Sequence, residues 1–184
     1  VGIAQSMMEN WEEALQHLSS AELMAKTSEP QRLNHIFYYQ LGSVHERGGN
    51  IPEAVTAMRK ALEIQPQYAE ALNYLGYMWA DRGENLDEAR SMIQKAVEIE
   101  PDNAAFLDSL AWVLYKLKLP EQALPPMLKA IALSEEPDPT LLDHLGDIYL
   151  DLKNLEEAKS AYQRALAVKP DEKIQRKLDS LQLR

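Results

Sequence analysis

The sequence predicts an all-α protein in which antiparallel helix pairs stack into one array. Three observations predict it: a period of 34 or 35 residues, small residues at fixed places in each period, and repeated helix-start motifs. The period is clearest in a leucine followed by glycine or alanine, at Leu41-Gly42, Leu75-Gly76, Leu110-Ala111 and Leu145-Gly146. Because one helix pair cannot bury its apolar face alone, neighbouring pairs are expected to share a continuous core.

The second helix of each pair is marked by two alanines and followed by a proline. The alanines lie seven residues apart, at Ala54 and Ala61, Ala89 and Ala96, Ala123 and Ala130, and Ala158 and Ala165. The prolines are Pro66, Pro101, Pro137 and Pro170. We expect the small residues to let the two helices cross closely, while larger residues such as Met58 and Leu62 fill the spaces between them.

The helix starts are predicted by capping residues. Each second helix except one is preceded by an asparagine with a glutamate three positions on, which is the capping-box spacing: Asn10, Asn50, Asn85 and Asn154. The first helices are expected to be capped by Asp102, Asp138 and Asp171. Each side-chain cap stabilises a helix by about 1 kcal/mol.

One second helix departs from this pattern. It contains Pro125-Pro126, and it has Lys118 where the others have asparagine. Proline inside a helix removes a backbone donor and clashes with the preceding turn. We therefore expect a kink or a restart near Leu124, which is either a local repacking or a contact surface on the convex side.

The charge of the chain limits its partners. The net charge is −10 and the pI is near 4.9. Nucleic acids and anionic membranes are disfavoured, because binding them requires an excess of lysine and arginine. A basic or apolar segment of a protein is the expected partner, and an acidic surface without any partner is the alternative.

Other functional classes find no support in the residues. Cysteine is absent, and the histidines (His17, His35, His45 and His144) lack zinc spacing, so no metal or cofactor is expected. No phosphate loop or catalytic constellation is present, and the chain is expected not to be an enzyme. No apolar run is long enough to span a membrane. The chain begins at Val1 in the middle of a repeat, so we interpret it as a fragment of a longer protein, with the compartment open and the cytoplasm slightly favoured over the periplasm.

These residues resemble the tetratricopeptide-repeat pattern over essentially the whole chain. Four complete repeats are predicted, at residues 35–68, 69–103, 104–138 and 139–172, after a truncated repeat at residues 1–34 and before a capping helix at residues 171–184. The resemblance implies a single array that forms a right-handed α-solenoid, the tetratricopeptide-repeat superhelix. In that family the first helix of each pair lines a concave groove that binds peptides or proteins.

The resemblance also indicates which residues line the groove. The candidate partner-binding residues are Tyr39, Asn73, Tyr77, Asp108, Trp112, Tyr115, Asp143, Asp147 and Asp151. The aromatic residues are of the types enriched at binding hot spots. The last three aspartates lie at i, i+4 and i+8, so they share one helix face, and we expect them either to meet lysine or arginine of a partner or to form a solvated face.

One missing set of residues and one further resemblance bear on the partner. The groove lacks the lysines, asparagine and arginine with which some relatives bind the acidic C-terminal tails of chaperones, so that function is excluded. Residues 69–133 are similar to bacterial repeat proteins, among them envelope lipoproteins that act as adaptors and the bacterial kinesin light chain, which is associated with tubulin filaments. The predicted function is a protein-interaction scaffold, the alternative is a structural component of such an assembly, and a homo-oligomer stays open.

Overall fold

The computed structural model describes residues 11–136 and 138–182, and these residues form helices and no strand. Within these residues, a short 3₁₀ helix, Pro30–Arg32, accompanies ten α-helices. The α-helices are α1 (Trp11–Ser28), α2 (His35–Arg47), α3 (Ile51–Ile64), α4 (Ala69–Arg82), α5 (Leu86–Ile99), α6 (Ala104–Lys116), α7 (Pro120–Leu133), α8 (Pro139–Asp151), α9 (Leu155–Val168) and α10 (Glu172–Gln182). The predicted all-α fold is confirmed.

The chain divides into two compact units, Val1–Leu75 and Gly76–Arg184, with the boundary inside α4. In the first unit, α2 packs on α3, and α1 packs on α2. In the second unit, α6 packs on α7, α8 packs on α9, and α10 packs on α9. That all repeats form one array stays a prediction.

The turns within the helix pairs are short and share one backbone feature. Three residues join the helices of each complete pair, which forces the two helices to lie side by side. Each turn contains a residue with positive φ, namely Gly49, Gly83, Lys118 and Lys153. Glycine adopts this conformation without strain, whereas the two lysines adopt it at a cost of about 1 kcal/mol each.

Small residues lie where the helices of a pair cross, as the sequence predicts. The alanines at both repeated positions of the second helices are fully buried, from Ala54 to Ala165. On the facing helices, a Cβ added at Gly42 would lie 3.0 Å from Met58, and one added at Gly76 would lie 2.6 Å from Ile93. The repeat period of the small residues therefore marks the places where the two helices of a pair cross closely.

The predicted asparagine caps of the second helices are wrong in the part of the chain that the structure describes. Asn50, Asn85 and Asn154 do precede α3, α5 and α9, but their side chains cap nothing. Their ψ angles are 70°, 39° and 77°, and Asn85 is left-handed, whereas a capping side chain needs extended backbone. Asn10 lies outside the described residues.

Side-chain caps occur instead on first helices and on the terminal helix. Asp138 accepts hydrogen bonds from the N–H groups of Thr140 and Leu141, and Asp171 accepts from those of Lys173 and Ile174, as predicted. The prediction for Asp102 is wrong. Asn103 caps α6, because it is the residue that directly precedes the helix in extended backbone, and Asp102 pairs with Lys129 at 2.8 Å.

The Pro125-Pro126 pair lies inside one uninterrupted helix, α7, so the predicted restart near Leu124 is wrong. Ala123, Met127 and Ala130 of this helix are fully buried. Their burial holds the helix in place on one side, while Pro125 is exposed on the other. Tertiary packing thus outweighs the local cost of two missing backbone donors.

The last helix, α10, spans Glu172–Gln182, within the residues where a capping helix was predicted. Ile174 and Leu178 of α10 are buried against a cluster formed by Leu142, Ala158, Tyr162 and Ala165. The remaining side chains of α10 are mostly charged or polar and exposed. This helix therefore covers the apolar surface of α8 and α9, and it brings its polar side chains next to α8.

Candidate partner-binding face

In the first unit, the candidate residues Tyr39 and Asn73 lie on first helices. Tyr39 is half-buried and makes edge contacts with Tyr68 and Tyr74, with ring centroids 5.4 and 5.7 Å apart. Burial, followed by the charge of Glu70, raises the pKa of Tyr39. The Oδ1 atom of Asn73 is buried without a donor among the described residues.

Tyr74 connects two helices of this unit. Its hydroxyl donates to Oε2 of Glu46 at 2.9 Å and accepts from Ser43 at 3.3 Å. Both partners lie on α2, about 30 residues away in the sequence. The aromatic cluster of the first unit is therefore held by its polar edges as well as by ring contacts.

In the second unit, the candidate residues Asp108 and Trp112 are brought together and buried. Both are 8% exposed, and His144, which lies between them, is 5% exposed. His144 Nδ1 is 2.8 Å from Asp108 Oδ1, and the His144 ring stacks on Trp112 with centroids 4.0 Å apart. This packing makes Asp108 and Trp112 a support for neighbouring residues and leaves them little surface of their own.

Trp112 connects this buried layer to Tyr115. The two rings stack at 5.1 Å, and Lys116 Nζ lies 4.9 Å from the Trp112 centroid. Tyr115 is half-buried and faces the aspartates of α8. Burial and the charges of Asp147, Asp151 and Asp143 raise the pKa of Tyr115 to about 12.

The three aspartates of α8 lie beside cations of the chain itself. Lys177 Nζ on α10 donates to both oxygens of Asp143 at 2.8 and 2.9 Å, and to Asp147 Oδ2 at 2.7 Å. Asp151 lies 3.8 Å from Lys118. Together, these three aspartates and Tyr115 form the acidic face (Tyr115, Asp143, Asp147 and Asp151).

Asp147 also accepts a hydrogen bond from a buried residue of α9. The hydroxyl of Tyr162, which is fully buried, donates to Asp147 Oδ1 at 2.7 Å. Burial, then the charge and hydrogen bond of Asp147, raises the pKa of Tyr162, so its hydroxyl stays protonated and acts as a donor. The two oxygens of Asp147 are thus divided between a buried phenol and the Lys177 ammonium.

At this site burial and charge have opposite effects on the pKa of Lys177, whose single ammonium group binds two carboxylates. Burial by itself would lower the pKa of Lys177, but the hydrogen bonds and charges of Asp143 and Asp147 outweigh it and raise the pKa. Burial raises the pKa of Asp143, and the hydrogen bond from Lys177 offsets that effect only in part. A cation shared between two carboxylates cannot compensate each of them fully.

The remaining candidate, Tyr77, is half-buried on α4. In the described portion of the chain, no group of three histidines or acidic residues could hold a metal ion. None of the helices described here has both the length and the apolar character needed to cross a membrane.

Comparisons with known proteins agree with the helix pairs. A tetratricopeptide-repeat model matches residues 7–69 and 39–104, and a second such model matches residues 139–172. The chain belongs to the tetratricopeptide-repeat family. Its fold is therefore the all-α solenoid of that family. No curated protein sequence matches the chain.

Solved structures of other tetratricopeptide-repeat proteins share this fold. TTC0263 from Thermus thermophilus is 21% identical with a TM-score of 0.75, over 100% of this chain and 96% of that one. PilF from Pseudomonas aeruginosa is 20% identical with a TM-score of 0.74, over 90% and 72%. MamA from Desulfovibrio magneticus is 19% identical with a TM-score of 0.74, over 93% and 92%. At these identities the likeness concerns the fold alone.

Three residues of the site were missing from the sequence-based candidates: His144, Tyr162 and Lys177. Lys177 follows Asp143 by 34 residues, so continuing the repeat register into α10 places both at the same repeat position. Tyr162 takes the place that Met58 has in an earlier repeat, opposite a glycine. A polar aromatic residue at an otherwise apolar position is the signal that could have found it.

Proposed function

We propose that this tetratricopeptide-repeat protein is an interaction scaffold that binds a basic segment of a partner protein at the acidic face. Membership of the family supports a protein partner. The net charge of −10 favours a basic one, because it steers cations toward the surface. Tyr115, Asp143, Asp147 and Asp151 would contact the partner, with Asp108, Trp112 and Tyr162 positioning them from behind.

The observation that carries this proposal is the way the chain's own lysines lie at the acidic face. Lys177 lies between the carboxylates of Asp143 and Asp147 and 5.6 Å from the Tyr162 ring. Lys118 lies near Asp151 and 5.4 Å from the Tyr115 ring. Carboxylates combined with aromatic rings attract ammonium groups, so a partner's lysine or arginine would find the same chemistry here.

Tyr39 and Asn73 of the first unit and Tyr77 of the second are proposed as further contacts. Asn73 offers a buried acceptor without a donor in the described residues, which a backbone N–H of a bound segment would satisfy. Tyr39 offers a half-buried ring with a polar edge. The resemblances to envelope adaptors and to tubulin-associated proteins stay predictions about which partner is bound.

Binding of fluorescently labelled octalysine, followed by anisotropy, tests the acidic face directly. The triple variant Asp143→Asn, Asp147→Asn and Asp151→Asn is expected to bind about tenfold more weakly or worse, because it removes the carboxylates. A matched control neutralises three exposed acids elsewhere in the second unit, Glu98→Gln, Glu135→Gln and Glu136→Gln.

The control variant has the same net charge as the triple variant, so it reports the effect of general electrostatics. We expect it to bind octalysine within about twofold of the unmodified protein, with the difference shrinking as salt is added. Equal losses in the two variants would mean that binding depends on net charge and not on the acidic face.

A further inference from the structure

Helix α10 belongs to the same chain as the acidic face and already provides it with an ammonium group. Lys177 Nζ makes three hydrogen bonds of 2.7 to 2.9 Å to Asp143 and Asp147. The other lysine near this end of α10, Lys173, is exposed, and its charge acts on Asp171, whereas Lys177 acts on Asp143. The contact is therefore specific to one position of the helix.

The attachment of α10 is moderate in extent. Two buried side chains, Ile174 and Leu178, fix the helix to the cluster around Leu142 and Tyr162. With 11 residues the helix is too short to be stable by itself in water, so its order depends on these contacts and on Lys177. The Lys177 side chain is 33% exposed, so the site that it occupies is open to a competitor from solution.

The buried layer behind the acidic face contains a hydrogen-bond donor that has no acceptor among the described residues. Trp112 stacks on Tyr115, and the Trp112 Nε1 atom is buried with no acceptor among the described residues. Trp112 is itself 8% exposed. A buried donor without an acceptor is unfavourable, and a small shift of the ring that brings Nε1 to a backbone carbonyl of a bound chain would relieve it. An extended basic segment supplies both a cation and carbonyl groups, whereas Lys177 supplies only the cation.

We infer that α10 is an intramolecular competitor for the partner: Lys177 occupies the site between Asp143 and Asp147 that a lysine or arginine of the partner uses, so partner binding displaces this contact. The inference rests on the proposed function. The apparent affinity for the partner equals the intrinsic affinity multiplied by the fraction of time that the site is free. Occupation by Lys177 therefore lowers it. Release of the contact also weakens the attachment of α10 to α8 and α9, so partner binding lowers the order of this helix.

The experiment compares Lys177→Met with Lys173→Met in the octalysine binding assay. Both substitutions remove one positive charge from α10, and methionine keeps the apolar stem of the side chain. We expect Lys177→Met to tighten binding about fivefold or more, and Lys173→Met to tighten it less than about twofold, because only Lys177 occupies the carboxylates. Equal tightening by the two variants, or weaker binding by Lys177→Met, would overturn the inference.

Hydrogen exchange of the unmodified chain supplies a measurement that does not depend on a variant. Adding octalysine is expected to speed the exchange of the α10 amides, since the helix loses its Lys177 contacts. Exchange in α10 that stays the same or slows when octalysine binds would contradict competition.

The two proposals fail in different ways. If the Asp143→Asn, Asp147→Asn and Asp151→Asn variant binds octalysine as the unmodified chain does, the acidic face is not the binding site. If that variant binds weakly but Lys177→Met and Lys173→Met behave alike, the acidic face stands and the role of α10 is wrong.

Discussion

Replacing Gly146 with alanine tests how closely the helices of a pair must approach. A Cβ at this position would lie 2.3, 2.5 and 2.8 Å from Cε1, Cδ1 and Cζ of Tyr162. Carbon atoms in contact normally lie about 3.5 to 4.0 Å apart, so the ring or the helix must move by about 1 Å. The ring has little freedom, because it is fully buried and its hydroxyl is bonded to Asp147.

The size of the effect follows from two opposed contributions. Overpacking a well-packed core costs about 1–3 kcal/mol, and three short contacts with a rigid ring place this site at the upper end. Alanine in a helix is about 1 kcal/mol more favourable than glycine. We therefore expect Gly146→Ala to lower the free energy of unfolding by about 2 kcal/mol.

Gly42→Ala is the matched comparison. Its Cβ would lie 3.0 Å from the side chain of Met58, which is flexible enough to move aside, and 3.1 Å from the Ala54 carbonyl oxygen, which requires a shift of only a few tenths of an ångström. The gain in helix propensity then offsets the strain, and the net change is expected to be near zero. The chain has alanine at this repeat position in Ala111, where the second helix has Met127 in the place of Met58.

Urea unfolding followed by circular dichroism measures the series, and the double variant Gly146→Ala with Tyr162→Leu locates the cause. A smaller and more flexible side chain at position 162 should remove most of the cost of alanine at position 146, which a double-mutant cycle reports as a coupling free energy. If Gly146→Ala is as stable as Gly42→Ala, or if Tyr162→Leu leaves its cost unchanged, the close approach does not limit this pair.

Four other predictions follow from the backbone and the ionisable groups. Lys153→Gly should raise the free energy of unfolding by about 1 kcal/mol, because φ is 65° there, and Lys153→Ala should not, as urea unfolding will report. Asp171→Ala should lower the protection of the α10 amides against hydrogen exchange, because two N–H groups lose their acceptor, while Asn50→Ala, which removes no cap, should leave α3 unchanged. Pro125→Ala should stabilise α7 by about 1–3 kcal/mol in thermal unfolding, since it restores a backbone donor; an unchanged melting temperature would mean that the helix is already distorted elsewhere. The Tyr115 phenol should titrate at about 12 by ultraviolet absorbance, and because the folded pKa is raised above 10.0, its contribution to stability is complete below pH 10 and declines as pH rises toward 12.

The sequence by itself determined that the chain forms paired helices. Glycine or alanine on one helix and two alanines on the next recur because each pair must cross closely, and that requirement is met within one repeat of the chain. The prolines recur with the same period, and the spacing of Ile174, Leu178 and Leu181 predicted a helix after the last repeat. Repetition also separated these positions from chance, since several copies had to agree.

Only the tertiary structure decided which side chains meet between one repeat and the next. Asp143 and Lys177 are 34 residues apart, and Asp108 and His144 are 36 residues apart. The sequence indicated that three aspartates share a face, but their cation comes from α10 and from Lys118, which no periodicity in α8 reveals. Asparagine looked like a cap before α3, yet the backbone ψ of 70° turned its side chain away from that role. Local patterns report volume and helix propensity, whereas ion pairs, stacking and burial depend on distances across the packed repeats.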